Sequence, residues 1–204
     1  MPRVKVLERL FFCRPRVLNV LHAFYLVEAT SQTNPLELAA LARYAAGAKS
    51  ALEIGSYQGV SATVIARNLA PDGRLLCVDP WPSADGRDNP GFEIFKRHIR
   101  RTKTVGRIDV IRNYSGLTAD QLPRRLDFAF IDGDHSWAGI ETDWQLVAPR
   151  LFSGGIVCLH DTAIPEAEPW RKFDSTRFYD ERIATDATFE TISTVYSMRV
   201  LRKL

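Results

Sequence analysis

The sequence predicts an α/β domain with an open, mainly parallel sheet, and three observations carry that prediction. First, a short apolar run, Ala51-Leu52-Glu53-Ile54, passes through a turn bracketed by Gly55 and Gly59 into a segment of helical spacing marked by Val60, Val64, Ile65 and Leu69. Second, further apolar runs at 74–79, 107–112, 126–132 and 156–159 are separated by helical stretches, the alternation expected of strands joined by crossover helices. Third, most of these runs finish in or beside a titratable side chain: Glu53 before Gly55, Asp79, Asp132 with Asp134 and His135, and His160 with Asp161. Ligands of open parallel sheets bind beyond the carboxyl ends of the strands, so these groups mark one rim as a site.

Taken in order, residues 1–34 read as an extension that is helical in pieces. Pro15 separates the pieces, and Val17, Leu18, Leu21, Phe24, Tyr25 and Val27 form an apolar stripe. The first residues mix Arg3, Lys5 and Arg9 with Val4, Val6, Leu7, Leu10, Phe11 and Phe12. They lack the continuous apolar core and cleavage site of a signal peptide. A cap on the domain or on a second subunit is favoured over a peripheral membrane helix. Asn34 and Pro35 read as N-cap and first position of a helix that stops at Gly47. After the second strand, Pro80-Trp81-Pro82 opens a turn-rich loop to Gly91, long enough to act as a lid. Helices are expected over 92–101, over 137–151 and near 171–183. The last segments, 188–195 and 198–204, alternate about a turn at Tyr196-Ser197.

The glycine turn has the form Glu-x-Gly-x-x-x-Gly. Tyr57 stands where a dinucleotide fingerprint carries its second glycine, so a pyrophosphate would approach the backbone less easily. Asp79, about 20 residues beyond Gly59, ends the second strand where an acid can accept from a ribose hydroxyl pair. An ordinary loop-starting Asp is the competing reading. Together the two pieces describe an adenosine-ribose site with no phosphate clamp.

These residues resemble the class I S-adenosylmethionine-dependent methyltransferases. Within that family, Glu53-Ile-Gly-Ser-Tyr-Gln-Gly-Val-Ser61 looks like the first motif of metal-dependent small-molecule O-methyltransferases of catechol and macrocin type. The resemblance runs from about residue 35 to the C-terminus. It implies a Rossmann-like seven-stranded sheet, mostly parallel with a C-terminal antiparallel hairpin, with the domain spanning 35–204 and the extension 1–34 covering the substrate side. It implies S-adenosylmethionine as cofactor: Gly55, Ser56, Tyr57, Gly59 and Ser61 around its methionine end, Glu53 acting through the turn, and Asp79 on the ribose. Ser115 falls beside the adenine, against a rival reading as a turn-forming serine. Trp81 either packs on the adenine or anchors the lid.

The resemblance also implies a divalent cation, Mg²⁺ or Mn²⁺, on Asp132, His160 and Asp161, with Asp132 bordering the cofactor as well. The family more often carries an acid–acid or acid–amide pair at 160–161, so His160 is a departure; a histidine bonded to a neighbouring loop is the alternative. The reaction would be methyl transfer to a hydroxyl of a small molecule or glycan. His135 is the candidate general base, against a structural or substrate-binding role, and Asp134 its orienting partner or a helper of the metal.

The chain has 204 residues, 46% apolar and 25% charged, with a net charge of +3. Such values suit one globular domain and argue against a polyanion partner. The basic run Lys96-Arg97-His98-Ile99-Arg100-Arg101-Thr102-Lys103 reads as a solvated helix face, with nucleic-acid contact as the sharper alternative. A nucleic-acid methyltransferase is disfavoured because Asp132-Gly-Asp-His135 is not the Asn/Asp-Pro-Pro-Tyr/Phe motif of amino-group methylators. A non-catalytic cofactor-binding domain and a nicotinamide-dependent oxidoreductase remain as further rivals. Cys13, Cys77 and Cys158 show no C-x-x-C spacing, and they read as reduced thiols of a cytoplasmic protein. No apolar run reaches the eighteen or so residues of a membrane span. Self-association through the extension is the expected route to an oligomer.

Overall fold

Alternating side chains on the first strand decide how the layers form. In the computed structural model, which describes residues 14–82 and 88–204, β1 (Ser50–Ile54) sends Ala51 to one face of a sheet and Leu52 and Ile54 to the other. Strands β2 (Arg74–Val78) and β4 (Leu126–Ile131) pair with it in parallel, and β3 (Ile108–Ile111) and β5 (Leu151–Leu159) extend the parallel sheet beyond them. The final hairpin, β6 (Phe189–Val195) and β7 (Met198–Lys203), joins antiparallel, and the sheet order is β3-β2-β1-β4-β5-β7-β6. This is the seven-stranded arrangement expected from the sequence.

On the first face pack α2 (Pro35–Tyr44), α3 (Val60–Asn68) and α4 (Pro90–Arg101), through Leu41, Ile65, Phe95 and Ile99. On the other face α5 (Trp137–Val147) and α6 (Asp174–Phe178) contribute Ile140, Trp144, Val147 and Phe178. Burying apolar stripes on both faces is what a parallel sheet requires. Strand order reverses beside β1, whose neighbours are β2 and β4, so a crevice opens above their carboxyl ends.

Asn34 caps α2 as anticipated, accepting from Leu36 N (2.9 Å) while Glu37 Oε2 accepts from Asn34 N (2.8 Å). The helix expected over 137–151 is shorter: it ends at Val147, a 3₁₀ turn containing Pro149 follows, and Leu151 already opens β5. The helix near 171–183 is one turn of α6 running into a π-turn at Tyr179–Ile183.

The extension contributes α1 (Pro15–Ala23), with Pro15 at its first position, packed on α4 through Leu18, Val27 and Ile94. That contact changes the reading of the basic run. Arg97 reaches Asn19 and His22, while Arg101 contacts His22, donates to Ala23 O (3.1 Å) and lies over the Tyr25 ring. Two basic side chains of the expected solvated face, Arg97 and Arg101, therefore hold α1 instead. Burial, with the charges of Arg101 and Arg97, pushes His22 down to about 4, so the imidazole stays neutral between two guanidinium groups. Cys77 and Cys158 are buried free thiols, while Cys13, the first thirteen residues and positions 83–87 of the anticipated lid lie outside the described residues. No helix among the described residues is long and apolar enough to cross a membrane.

Candidate active site

Two cavities meet at the switch point and share Gly55, Asp79, Asp132 and Gly133, forming one groove. The smaller, about 260 Å³, is walled by the glycine turn, Ser61 and His135, and roofed by Thr30, Ser31, Gln32 and Thr33. The larger, about 540 Å³, runs over Val78, Pro80 and Ser115 to α5.

The glycine turn is shaped by what surrounds it. Gly55 has φ +86°, and a β-carbon there would stand 2.0 Å from the carbonyl oxygen of Asp132. That approach brings the loop after β4 against the loop after β1. Asp79 then organises the turn's donors: its Oδ2 accepts from Ser56 N (3.0 Å) and Tyr57 N (2.9 Å), and its Oδ1 from Trp81 N (2.8 Å). A carboxylate has about four lone-pair positions, so roughly one remains for a ligand hydroxyl. Tyr57, Trp81 and Asp161 all sit at positive φ on this rim, the kind of backbone strain that collects at functional sites.

Glu53 lies beneath the turn, fully buried, rather than on the groove wall. Ser56 Oγ donates to its Oε2 (2.5 Å), Cys77 Sγ approaches at 3.4 Å, and Oε1 has no partner among the described residues. Burial pushes this carboxyl up to about 7. Gly59, at φ +83°, starts α3, and a β-carbon there would meet the Phe95 ring at 2.7 Å. Trp81 does not line either cavity. Its ring is buried against Phe92 and Phe95, and its Nε1 donates to Tyr57 O (2.7 Å), which fits the anchoring alternative and leaves no face for adenine.

At the other side of the groove stands a cluster of histidines and acids. Asp132, His135 and His160 each offer one ligand atom, all within 4.8 Å of one another. His160 Nε2 is 3.2 Å from Glu37 Oε2; its Nδ1 is 2.8 Å from Asp132 Oδ1 but has no aligned hydrogen bond. Burial opposes a charge on His160, yet Asp132, Glu37 and Asp161 outweigh it and push the imidazole up to about 10. Asp161 borders the same cluster, its Oδ2 3.6 Å from His160 Nδ1. Its carboxylate lies 3.0 Å from Arg171 Nη2 and 3.3 Å from His135 Nε2. Burial alone would raise Asp161, but the charges of His160 and Arg171 hold it below the usual range. Asp134 does not orient His135: it accepts from Ser136 N (2.9 Å) and Oγ (2.8 Å), closing the loop into α5.

Four further side chains reach the site without having been singled out in the sequence. Glu37, read there as part of a helix start, also accepts from Ser197 N (3.0 Å) and Oγ (2.8 Å), tying α2 to the β6–β7 turn. Arg171 comes from the loop before α6. Gln58 Oε1 accepts from Thr30 N (2.8 Å), pinning the roof to the glycine turn. Asp143, on α5, accepts from Ser115 Oγ at 2.5 Å. Its signal was available, since an acid at 143 sits in register with Ile140, Trp144 and Val147 on the buried stripe.

A family profile described as a methyltransferase domain matches residues 52–162, more than half of the chain and every strand end of the groove. The chain belongs to that methyltransferase family. Among solved structures, the methyltransferase is similar to an O-methyltransferase from Bacillus cereus in complex with SAH. The TM-score is 0.68 at 19% identity, covering 92% of this chain and 89% of the other. It is also similar to TomG, an O-methyltransferase of Streptomyces achromogenes involved in tomaymycin synthesis, with TM-score 0.62, 18% identity and 94% and 89% coverage. A curated relative, the uncharacterized protein R132 of Acanthamoeba polyphaga mimivirus, is 28% identical over 115 residues, 54% of this chain. The methyltransferase spans about half the length of that relative.

Proposed function

We propose that this methyltransferase moves the methyl group of S-adenosylmethionine to a hydroxyl oxygen of a small-molecule or glycan acceptor, assisted by a divalent cation. The observation that carries the reading is the single groove: a nucleoside-sized cavity at one end, Asp79 in the middle, and a histidine–carboxylate cluster beside the glycine turn. The cofactors in the similar structures agree with it. Adenine would fill the larger cavity, the ribose would meet Asp79, and the methionine end would lie under Thr30 and Ser31 against Ser56 and Tyr57.

In the transfer, the acceptor oxygen forms a bond to the methyl carbon as the carbon–sulfur bond breaks, leaving a neutral thioether, and the hydroxyl proton departs. The chain's task is alignment and removal of that proton. Asp132, His135 and His160 fit a cation. Glu37 takes the Nε2 side of His160 and leaves the partnerless Nδ1 turned to Asp132, the carboxylate–histidine arrangement that orients ligating imidazoles. Two ring nitrogens and one carboxylate favour Mn²⁺ over Mg²⁺, which prefers oxygen donors. A bound cation would acidify the acceptor hydroxyl.

A second reading is favoured by the Arg171–Asp161–His135 chain. With Nε2–H donated to Asp161, the other ring nitrogen of His135 is free to take the hydroxyl proton, and Asp161 stabilises the imidazolium. Dialysis against EDTA separates the two. The first reading expects turnover to be lost and restored by Mn²⁺, with affinity for S-adenosylhomocysteine unchanged. Turnover indifferent to chelation supports His135 as base. Asp79→Ala, measured by calorimetric titration with S-adenosylhomocysteine, is expected to weaken binding by about 1–3 kcal/mol, because a charged acceptor and the partner of three backbone donors are lost together. Unchanged affinity would refute the ribose assignment.

A further inference from the structure

Contact with α4 accounts for only part of the apolar stripe of the extension. Leu18 and Val27 are buried against Ile94, with Leu21 beside them. The opposite side of α1 carries Val20 and Phe24, one helical turn apart, and Tyr25 and Leu26 follow in the turn after it. Val20 is 55% exposed, Phe24 72%, Tyr25 75% and Leu26 48%, so four large apolar side chains in seven residues face solvent. Single exposed apolar residues are ordinary, but a contiguous cluster marks an interaction surface. The charge around this one is one-sided. Residues 14–28 and 90–103 hold seven basic side chains against two acids, Glu28 and Glu93, whereas the whole chain holds 27 against 24, so the remainder is slightly acidic. Glu93 is ion-paired with Lys96 (2.6 Å). Arg97 and Arg101 reach Asn19, the neutral His22 and Ala23 O, contacts that cancel none of the excess.

We propose that this corner of the molecule, Val20 to Leu26 with the basic end of α4, docks on an anionic lipid surface. Arg101 joins the two features. Its guanidinium lies 3.6 Å from the centre of the Tyr25 ring, which sets the last turn of α4, with the exposed Arg100 and Lys103, beside the apolar cluster. Apolar side chains for the acyl boundary, bordered by basic ones for the headgroups, are the composition that holds a helix in the membrane interface. A nucleic acid would use the basic residues but offers nothing to Val20, Phe24 and Leu26. A second copy seated face to face would set this excess of positive charge against itself. Residues 27–29 alone separate Leu26 from Thr30, where the roof of the groove begins, so docking brings the groove to the bilayer. It does not depend on which reaction the groove performs.

Co-sedimentation of the full chain with vesicles tests this directly. The wild-type chain is expected to bind vesicles of phosphatidylcholine mixed with phosphatidylserine and to release them as salt rises. Vesicles of phosphatidylcholine alone are expected to bind it roughly tenfold more weakly or worse, the scale of two basic side chains at an anionic surface. Phe24→Ser combined with Leu26→Ser is expected to weaken binding by roughly ten- to a hundredfold, the scale of withdrawing two large apolar side chains from the interface. Arg100→Glu combined with Lys103→Glu is expected to abolish the preference for phosphatidylserine. All four side chains are exposed, so thermal melting of both variants should match the wild-type chain. Failure of the wild-type chain to bind phosphatidylserine vesicles, or equal binding to phosphatidylcholine alone, would overturn the proposal. So would vesicle binding that either pair of substitutions leaves unchanged, which would put the lipid contact elsewhere on the chain. Duplex DNA binding, or self-association lost in the Phe24→Ser, Leu26→Ser variant, in the absence of vesicle binding would assign the surface to those partners instead.

Discussion

Gly55→Ala is expected to abolish measurable binding of S-adenosylhomocysteine and to lower stability by about 2–5 kcal/mol, the sum of left-handed strain in a residue with a β-carbon and of overpacking. The size follows from two independent features of one residue. At φ +86° an alanine is strained wherever it is placed, and here its β-carbon would also lie 2.0 Å from a backbone oxygen, Asp132 O. A flexible side chain could move aside; a carbonyl whose own residue donates to Ile54 O (2.8 Å) cannot move without parting the loops after β1 and β4. Those loops are the two lips of the groove. Gly47 supplies the control. It has φ +78° with nothing within 4 Å of a β-carbon, so Gly47→Ala carries the conformational term alone. Chemical denaturation and ligand titration of both variants check the claim: Gly47→Ala should lose a little stability and no affinity, and equal behaviour of the two would contradict it.

Glu37→Ala is expected to cost about 3–5 kcal/mol of stability, the range for removing one member of a buried ion pair. Glu37 is fully buried and serves four partners from three parts of the chain: Asn34 N, Ser197 N and Oγ, and His160 Nε2. Burial by itself would raise this carboxyl, but its hydrogen bond and charge interaction with His160, with help from Asn34 and Ser197, bring it below the ordinary range. Removing it strands a buried imidazolium and leaves the Ser197 amide unsatisfied in the hairpin turn. A double-mutant cycle with His160→Ala isolates the pair. Because the two residues share a network, the double variant should be less destabilised than the sum of the singles. Additive losses would mean that Glu37 acts only on the hairpin.

The parallel core and the direction of its polar rim were legible because periodicity and strand-end chemistry are local properties. Ala51 to Gly59, Asp79 and Asp132 could be placed on and just beyond the strands from their immediate neighbours. What could not be read were relations set by distance in space. Nothing in the sequence around Glu37 reports that Ser197, 160 residues on, returns to it. For Trp81 the sequence leaves adenine packing and loop anchoring open, and only the backbone turn at φ +36°, which delivers the ring to Phe92 and Phe95, decides for anchoring. Asp134 beside His135 suggested a dyad, whereas Ser136 at the head of α5 takes both its oxygens, and the acid facing His135 is Asp161 from the next strand. The basic run is a solvated face only in part for the same reason: α1, which Arg97 and Arg101 hold, lies some 75 residues earlier.

A crystal structure with S-adenosylhomocysteine bound is the most direct test of the central claim, that one groove holds the nucleoside at one end and the reacting oxygen at the other. The account predicts adenine in the larger cavity beside Ser115, a ribose hydroxyl at Asp79, and the sulfur facing Asp132 and His135. Adenine lodged under Thr30 to Thr33, or a sulfur turned away from that cluster, would contradict it.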